Sequence, residues 1–154
     1  MDYQLDYTDK RIIDELTKDA RISYLELSKK LNVSNSMVHQ RIKKIKDAGI
    51  ISGEGLKISP EKAGYKSCAY TGIVLTEARF CDHVANELEK IPEVSECHYV
   101  SGKYALFAKV HAIDNEDMRL VLYDKIHRIE GVSSTDTFMS FQTYFDRELK
   151  MIEE

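Results

Sequence analysis

The 154-residue chain is poor in the residues that build metal, redox and catalytic centres. Its three cysteines, Cys68, Cys81 and Cys97, are odd in number and lack metal-type spacing. They read as reduced, mostly buried thiols of a cytoplasmic protein rather than as a disulfide framework. The five histidines, His39, His83, His98, His111 and His127, are scattered, and no two lie three or four residues apart. A metal site on a helix face is therefore not expected. There is no nucleophile-base pair, no Gly-rich phosphate loop and no low-complexity segment, so no metal, cofactor or catalytic residue is predicted. No apolar run approaches the roughly 20 residues that a membrane span requires. The acidic start Met1-Asp2-Tyr3-Gln4-Leu5-Asp6 does not read as a signal peptide, and the expected location is the cytoplasm.

The chain does contain an uneven distribution of charge. The formal net charge is −4. Residues 1–50 hold 10 Lys and Arg against 8 Asp and Glu, whereas the remainder hold 12 against 18. Between residues 34 and 49, Arg41, Lys43, Lys44 and Lys46 face only Asp47. A basic helix on an acidic protein is a directed docking face rather than a general coating for nucleic acid. A merely solvated helix face is the competing reading, and the surrounding turn and caps argue against it.

Those caps define a helix-turn-helix. Ser23 and Glu26 have capping-box spacing, and Tyr24, Leu27 and Leu31 share one face of the helix that follows. Asn32 suits a left-handed C-cap, and Ser34 caps the next helix after the turn Asn32-Val33-Ser34. In that helix Val38, Ile42 and Ile45 point inward and Gly49 ends it. An earlier helix, started by Asp6 and Asp9 and packed through Ile12, Ile13 and Leu16, completes a three-helix unit. The second helix of such a pair lies in the DNA major groove. Ser34, Asn35 and Ser36 at its N-terminus suit phosphate. His39, Gln40 and Lys43 face outward toward base edges, with Gln40 the natural adenine reader. Arg41, Lys44 and Lys46 suit backbone phosphates, although Arg41 could equally form an intramolecular salt bridge.

The second half has a different pattern. Ile50 to Ile58 reads as two short β-prone pieces around Gly53-Glu54-Gly55, a wing or connecting strand, and Ser59-Pro60 and Gly64 mark a boundary. The chain is thus expected to divide into a DNA-binding domain at 1–50, a wing or linker at 51–64 and a second domain at 65–154. Strands are expected at 68–75, 94–100, 104–112 and 132–145, and helices at 78–91 and 116–129. In the last helix Leu120, Tyr123 and Ile126 or His127 face inward. The order βαββαβ predicts a ferredoxin-like α+β sandwich with both helices on one sheet face. Tyr70, Tyr99, Phe107, Phe138, Phe141 and Tyr144 are candidates for the uncovered face. So much aromatic surface predicts a homodimer, and a two-fold dimer also doubles the DNA site.

The chain resembles the leucine-responsive regulatory protein/AsnC, or feast-or-famine, family. The residues that carry the likeness are Leu5-Asp6 with Asp9 and Ile12; Asp19-Ala20-Arg21; Glu26-Leu27-Ser28; Val33-Ser34; Val38 with Arg41-Ile42; Ala48-Gly49-Ile50-Ile51; Gly64; Pro92 with Val94; Ser101-Gly102 with Tyr104; and Gly131-Val132 leading to Thr135 and Thr137. They extend from about Leu5 to Phe145. Gly49-Ile50-Ile51-Ser52-Gly53, Ile58-Ser59-Pro60 and Gly102-Lys103-Tyr104-Ala105-Leu106-Phe107 look most like the asparagine-responsive branch. The resemblance implies a DNA-binding transcription regulator whose dimers assemble further, often to octamers, and respond to a small effector, usually an amino acid. By position, the effector loop would be Ser101, Gly102, Lys103, Tyr104 and Ala105, with Ser134, Thr135, Asp136 and Thr137 from a neighbouring chain. The glycine turn would offer N–H groups to a carboxylate, and Asp136 or the hydroxyls could accept from an ammonium. Lys103 and Ala105 stand where many members carry acidic residues, which favours a polar amino acid such as asparagine over leucine. Two other functions remain open. One is an enzyme like the tetrapyrrole decarboxylases that share this architecture, with His98 and His111 lining a cavity. The other is an assembly module whose helix-turn-helix binds protein.

Overall fold

The computed structural model describes residues 3–53 and 57–152, which divide into two compact units. The first comprises residues up to 56 together with the segment from Phe145 onward, and the second spans Lys57–Tyr144.

Three helices form the first unit: α1 (Tyr7–Lys18), α2 (Tyr24–Leu31) and α3 (Asn35–Asp47). Each begins where a side chain meets an orphan N–H. Asp6 accepts from the Asp9 N–H at 2.9 Å while Asp9 accepts from the Asp6 N–H at 3.1 Å, a full capping box. Ser23 accepts from Glu26 and Ser34 from Met37, so the reciprocal pair forms at Asp6 and Asp9 rather than at Ser23 and Glu26. Asn32 adopts the left-handed conformation at φ 55°, and Gly49 at φ 71° follows the end of α3. Ile12, Leu27, Val38, Ile42 and Ile45 close the core. A buried carboxylate ties α1 to α3. Asp9 accepts from the Tyr3 hydroxyl at 3.0 Å and from the Arg41 guanidinium at 2.7 Å, and Arg41 also reaches Asp6 at 2.7 Å. Arg41 thus forms the intramolecular salt bridge that was its alternative reading, with a quarter of its side chain still exposed.

Two further expectations for this unit change. Met151 packs on the three-helix core, and its N–H donates to Asp14 at 2.8 Å. The last residues thus belong with the first unit, not with the domain at 65–154. Residues 50–53 and 57–58, where wing strands were expected, carry no strand, and Glu54, Gly55 and Leu56 lie outside the described residues.

The second unit is a four-stranded antiparallel sheet of β1 (Ser67–Leu75), β2 (Val94–Tyr99), β3 (Leu106–Ala112) and β4 (Val132–Ser140), in the order β2-β3-β1-β4. One face carries α4 (Cys81–Glu89), preceded by a 3-10 turn, and α5 (Asn115–Leu120), which continues as a π-helical turn at Val121–Ile126. This is the expected ferredoxin-like βαββαβ arrangement. Ala69, Ile73, Leu106, Ala108 and Val110 point into the core against Val84, Leu88, Met118, Val121 and Ile126. The π turn shifts the helical phase, because its i→i+5 step replaces i→i+4. Met118 already faces inward before the turn, Val121 and Ile126 face inward at its two ends, and Leu120 and Tyr123 are exposed.

The open sheet face carries Tyr70, Phe107 and Phe138, with Tyr70 stacked on Phe107 at 6.3 Å and paired in register with Phe138. Tyr99 does not join them. A bulge between Val94 and Glu96 reverses the alternation of β2, so Tyr99 pairs with the inward-facing Leu106. β4 also ends sooner than expected, because Ser140 already pairs with Cys68 near the start of β1. Phe141 and Tyr144 therefore lie beyond the sheet and are exposed.

Two outcomes follow from the Asp9–Arg41 junction. Arg41→Met should destabilise the helical unit by about 3 kcal/mol, since it strands a buried carboxylate; urea unfolding followed by far-UV circular dichroism measures this, and an unchanged midpoint would return Arg41 to the surface. The Asp6 carboxyl is held below the ordinary carboxylate range by the Asp9 N–H and then by Arg41. Its contribution is thus complete above the unfolded value of about 3.9 and lost as pH falls through the lower folded value. Melting temperatures of the wild type and Asp6→Asn should differ at pH 7 and converge near pH 2.

Candidate functional site

Two sites were expected, one in each unit. The first is the exposed face of α3. With Val38, Ile42 and Ile45 buried, the helical period turns Ser36, Gln40 and Lys43 directly outward. Asn35, His39, Lys44 and Lys46 are exposed on the flanks. Ser34 is occupied in capping, and its hydroxyl lies 3.1 Å from that of Ser36. The His39 ring meets Tyr24 of α2 edge-on at 4.4 Å, which orients it without burying it. Eight of the nine expected DNA-contact residues are thus exposed, and Arg41 is half-buried in its ion pair. Met37, not singled out in the sequence, is also partly exposed on this face and has the right chemistry to meet a thymine methyl. Its sole sequence signal is its place beside Val38, outside the inward spacing.

The second site surrounds the β2–β3 loop. The Val100 N–H bonds to the Ala105 carbonyl at 3.1 Å, and the Ala105 N–H to the Ile73 carbonyl of β1 at 2.9 Å. Between these anchors, Gly102 turns the chain at φ 110°, a conformation other residues rarely adopt. Tyr104 then folds back over Gly72. A Cβ at Gly72 would lie 2.5 Å from the Tyr104 ring, so this close approach requires glycine. Gly72 pairs with Asp136 on β4, and the crossing brings the Tyr104 hydroxyl to Asp136 at 2.9 Å. Lys103 reaches the same carboxylate oxygen at 2.5 Å. Asp136 is held below its ordinary range by Lys103 first and Tyr104 second, and Lys103 is raised by Asp136.

Within this one chain the expected effector residues divide between the two faces of the sheet. Asp136 meets the loop of its own chain, whereas the resemblance assigned it to a neighbour's loop. Ser134 and Asp136 pair with Val74 and Gly72 on the open face, but Thr135 and Thr137 pair with Ile73 and Thr71 on the helix-covered face. There Thr137 bonds to the buried Thr71 at 3.0 Å, and Thr135 lies 3.0 Å from His127. The Gly72 seat is invisible in the sequence because a lone glycine in a strand has no local signal for what crosses it. Beside the loop is a cleft of about 1080 Å³ between α4 and β2, lined by apolar Val74, Leu75, Ala85, Val94 and Leu106 with Asn86, Ser95 and Lys103 among its polar groups. His98 and His111 are not in its lining. Among the described residues, no group of three or more His, Cys, Asp or Glu is placed to hold a metal ion, and no helix is long and apolar enough to cross a membrane.

A basic, doubly capped helix in one unit and a ferredoxin-like sheet with a built loop and cleft in the other define a DNA-binding regulator with a ligand-binding domain. Comparison with known proteins agrees. Residues 5–52 match the winged helix-turn-helix DNA-binding family, and residues 68–149 match the Lrp/AsnC ligand binding domain. The chain belongs to the Lrp/AsnC family and is a transcriptional regulator that responds to an effector. It is 36% identical over 148 residues to regulatory protein AsnC of Haemophilus influenzae, covering 96% of this chain and 99% of that protein. The structure of Escherichia coli AsnC superposes with a TM-score of 0.91 at 35% identity, over 96% of this chain and 99% of that one. A feast or famine regulatory protein from M. tuberculosis, complexed with L-methionine, has a TM-score of 0.87 at 26% identity, with coverage of 96% and 99%.

If α3 reads the bases, the double variant Gln40→Ala, Lys43→Ala should lose specific DNA affinity by at least tenfold and keep its fold. Each good base contact contributes about 1–3 kcal/mol. Fluorescence anisotropy on the DNA upstream of the protein's own gene measures the loss; an unchanged affinity would move recognition to another surface.

Proposed function

We propose that the chain is a cytoplasmic, sequence-specific regulator whose effector is a free amino acid bound at the Ser101–Ala105 loop, with no catalytic activity. The observation that carries this reading is the outward row of Ser36, Gln40 and Lys43 on a helix whose inner side is fixed by its core and by Asp9. An enzyme has no use for such a face. The amino-acid class is supported by the glycine turn and the Asp136 carboxylate, and by the L-methionine complex of the M. tuberculosis relative. Asparagine, or an amino acid of similar polarity, suits a loop that carries Lys103. In this reading residues 1–50 bind DNA, 51–64 link the two parts, and the sheet domain from residue 65 binds effector and assembles the protein.

Assembly is through the open sheet face. Tyr70, Phe107 and Phe138 form an apolar patch that a second sheet would bury. The resulting homodimers associate further, with an octamer the natural endpoint. DNA contacts divide as phosphate binding by Ser34, Asn35, Ser36, Lys44 and Lys46 and base reading by His39, Gln40 and Lys43.

A gel shift on the DNA upstream of the protein's own gene, titrated with salt and repeated with each of the twenty amino acids, tests the proposal. The expected result is a specific complex that weakens steeply with salt and is altered by one amino acid or a few related ones. Gly102→Val, which forces a branched side chain into a glycine conformation, should abolish that response and preserve the basal shift. Absence of any shift at low salt would contradict the regulator reading and favour the decarboxylase-type alternative, which tetrapyrrole binding would then test.

A further inference from the structure

We infer that Cys81 and Cys97 form a dithiol site in the cleft between α4 and β2, one that exchanges with low-molecular-weight disulfides and closes to a Cys81–Cys97 disulfide. The inference stands on the sheet domain alone and is independent of the identity of the effector.

Two features bring these cysteines together. The first is the antiparallel course of α4 and β2, joined by a tight turn in which the Val94 N–H bonds to the Ile91 carbonyl at 3.0 Å. Cys81 lies about 12 Å before the end of α4 along the helix, and Cys97 about 10 Å after the start of β2 along the strand. The two therefore stand level. The second feature is the bulge between Val94 and Glu96. Without it, alternation from the inward-facing Val94 would place Glu96 inward and Cys97 on the open face. With it, Cys97 pairs with the buried Ala108 and its side chain turns toward α4. Both cysteines line the same cleft of about 1080 Å³, where Ala78 and Ala85, on either side of Cys81, end at Cβ and leave room beside it. Cys97 is exposed on the sheet edge, while its sulfur faces the cleft; burial there, and then the nearness of Cys81, hold its thiol above the ordinary range. The third cysteine is shut out by the sheet itself, because Cys68 pairs with His111 and Ser140 on the open face.

The chemistry proceeds in two exchanges. The thiolate of the accessible Cys97 attacks one sulfur of a disulfide RSSR, forms the mixed disulfide Cys97–S–S–R and expels RS⁻, which takes up the proton that Cys97 lost. The Cys81 thiolate then attacks the Cys97 sulfur and expels the second RS⁻, which takes the Cys81 proton. Two cysteine thiols are oxidised, RSSR is reduced to two RSH, and no other reactant is needed. The new bond joins the first turn of α4 to the edge strand and narrows the cleft at that end. It also closes residues 81–97 into a loop, which restricts the unfolded chain and makes the oxidised form the more stable one.

Titration of the reduced full chain with oxidised glutathione, followed by alkylation in denaturant, digestion and mass spectrometry, tests the site. The expected product is a peptide pair cross-linked from Cys81 to Cys97, with Cys68 recovered in alkylated form. The melting temperature should rise on oxidation and fall back with dithiothreitol. Cys68→Ser should leave the cross-link unchanged. Cys81→Ala keeps the accessible thiol and removes its partner, so it should retain the glutathione adduct on Cys97 at roughly ten times the wild-type level or more, because the closing step is intramolecular. A wild-type chain that keeps glutathione on Cys97 beside a free Cys81 would show that the two thiols do not meet, and would overturn the site. A cross-link between two copies would do the same, as would full recovery of free thiol at glutathione concentrations that oxidise a control dithiol. The wild-type and Cys68→Ser maps decide the outcome even where Cys81→Ala loses its fold.

Discussion

A carboxylate with almost no exposure to water must have its charge answered inside the protein, and in the first unit this requirement falls on Asp9. Its partners are the Tyr3 hydroxyl, the Asp6 N–H and the guanidinium of Arg41, drawn from the segment before α1, the cap of α1 and the middle of α3. The demand for those three donors fixes where α3 lies on α1 and how it is rotated. Once Arg41 is turned inward beside Ile42 and Ile45, helical geometry sends Ser36, Gln40 and Lys43 to the opposite side. The proposed DNA-facing surface is in this sense a consequence of an internal ion pair. A helix held this way presents its side chains without having to order itself on contact.

The second unit solves a comparable problem with space instead of charge. Tyr104 can reach Asp136 because Gly72 leaves the intervening strand bare. The loop anchors at Val100 and Ala105 and the positive φ of Gly102 set the approach. The same glycine that weakens a strand locally gives the unit its most specific cluster of polar groups. Gly102, Lys103 and Tyr104 of the loop also line the cleft between α4 and the edge strand β2, whereas Asp136 stands on the open face of the sheet.

Features encoded over a few neighbouring residues are legible in the amino-acid sequence. Ser23, Asn32, Ser34 and Gly49 each act on their own helix end, and the helix-turn-helix follows from them. The strand and helix order of the sheet domain is similarly readable from alternation and period. What escapes such reading is set by partners distant in sequence. Whether Arg41 faces phosphate or Asp9 depends on a residue 32 positions away. One extra residue at the bulge in β2 moves Tyr99 to the other side of the sheet, and burial of Met118 and Val121 leaves Leu120 and Tyr123 outside the core. The docking of Met151 beside Asp14 joins residues 137 apart, which no local pattern could announce. Of the candidate site, the loop and the recognition face are readable, but the seat at Gly72 and the pairing of Asp136 within its own chain are not.

The regulator reading depends on α3 reading a DNA sequence, with two copies doing so together. Selection of binding sites from a random duplex library with the full chain tests this without knowledge of the natural operator. The expected outcome is enrichment of a two-fold symmetric motif whose half-sites are separated by about one helical turn, roughly 10 base pairs, or a multiple of it. Recovery of a pool with no sequence preference, at salt concentrations where the protein still binds DNA, would rule out α3 as a reader of sequence.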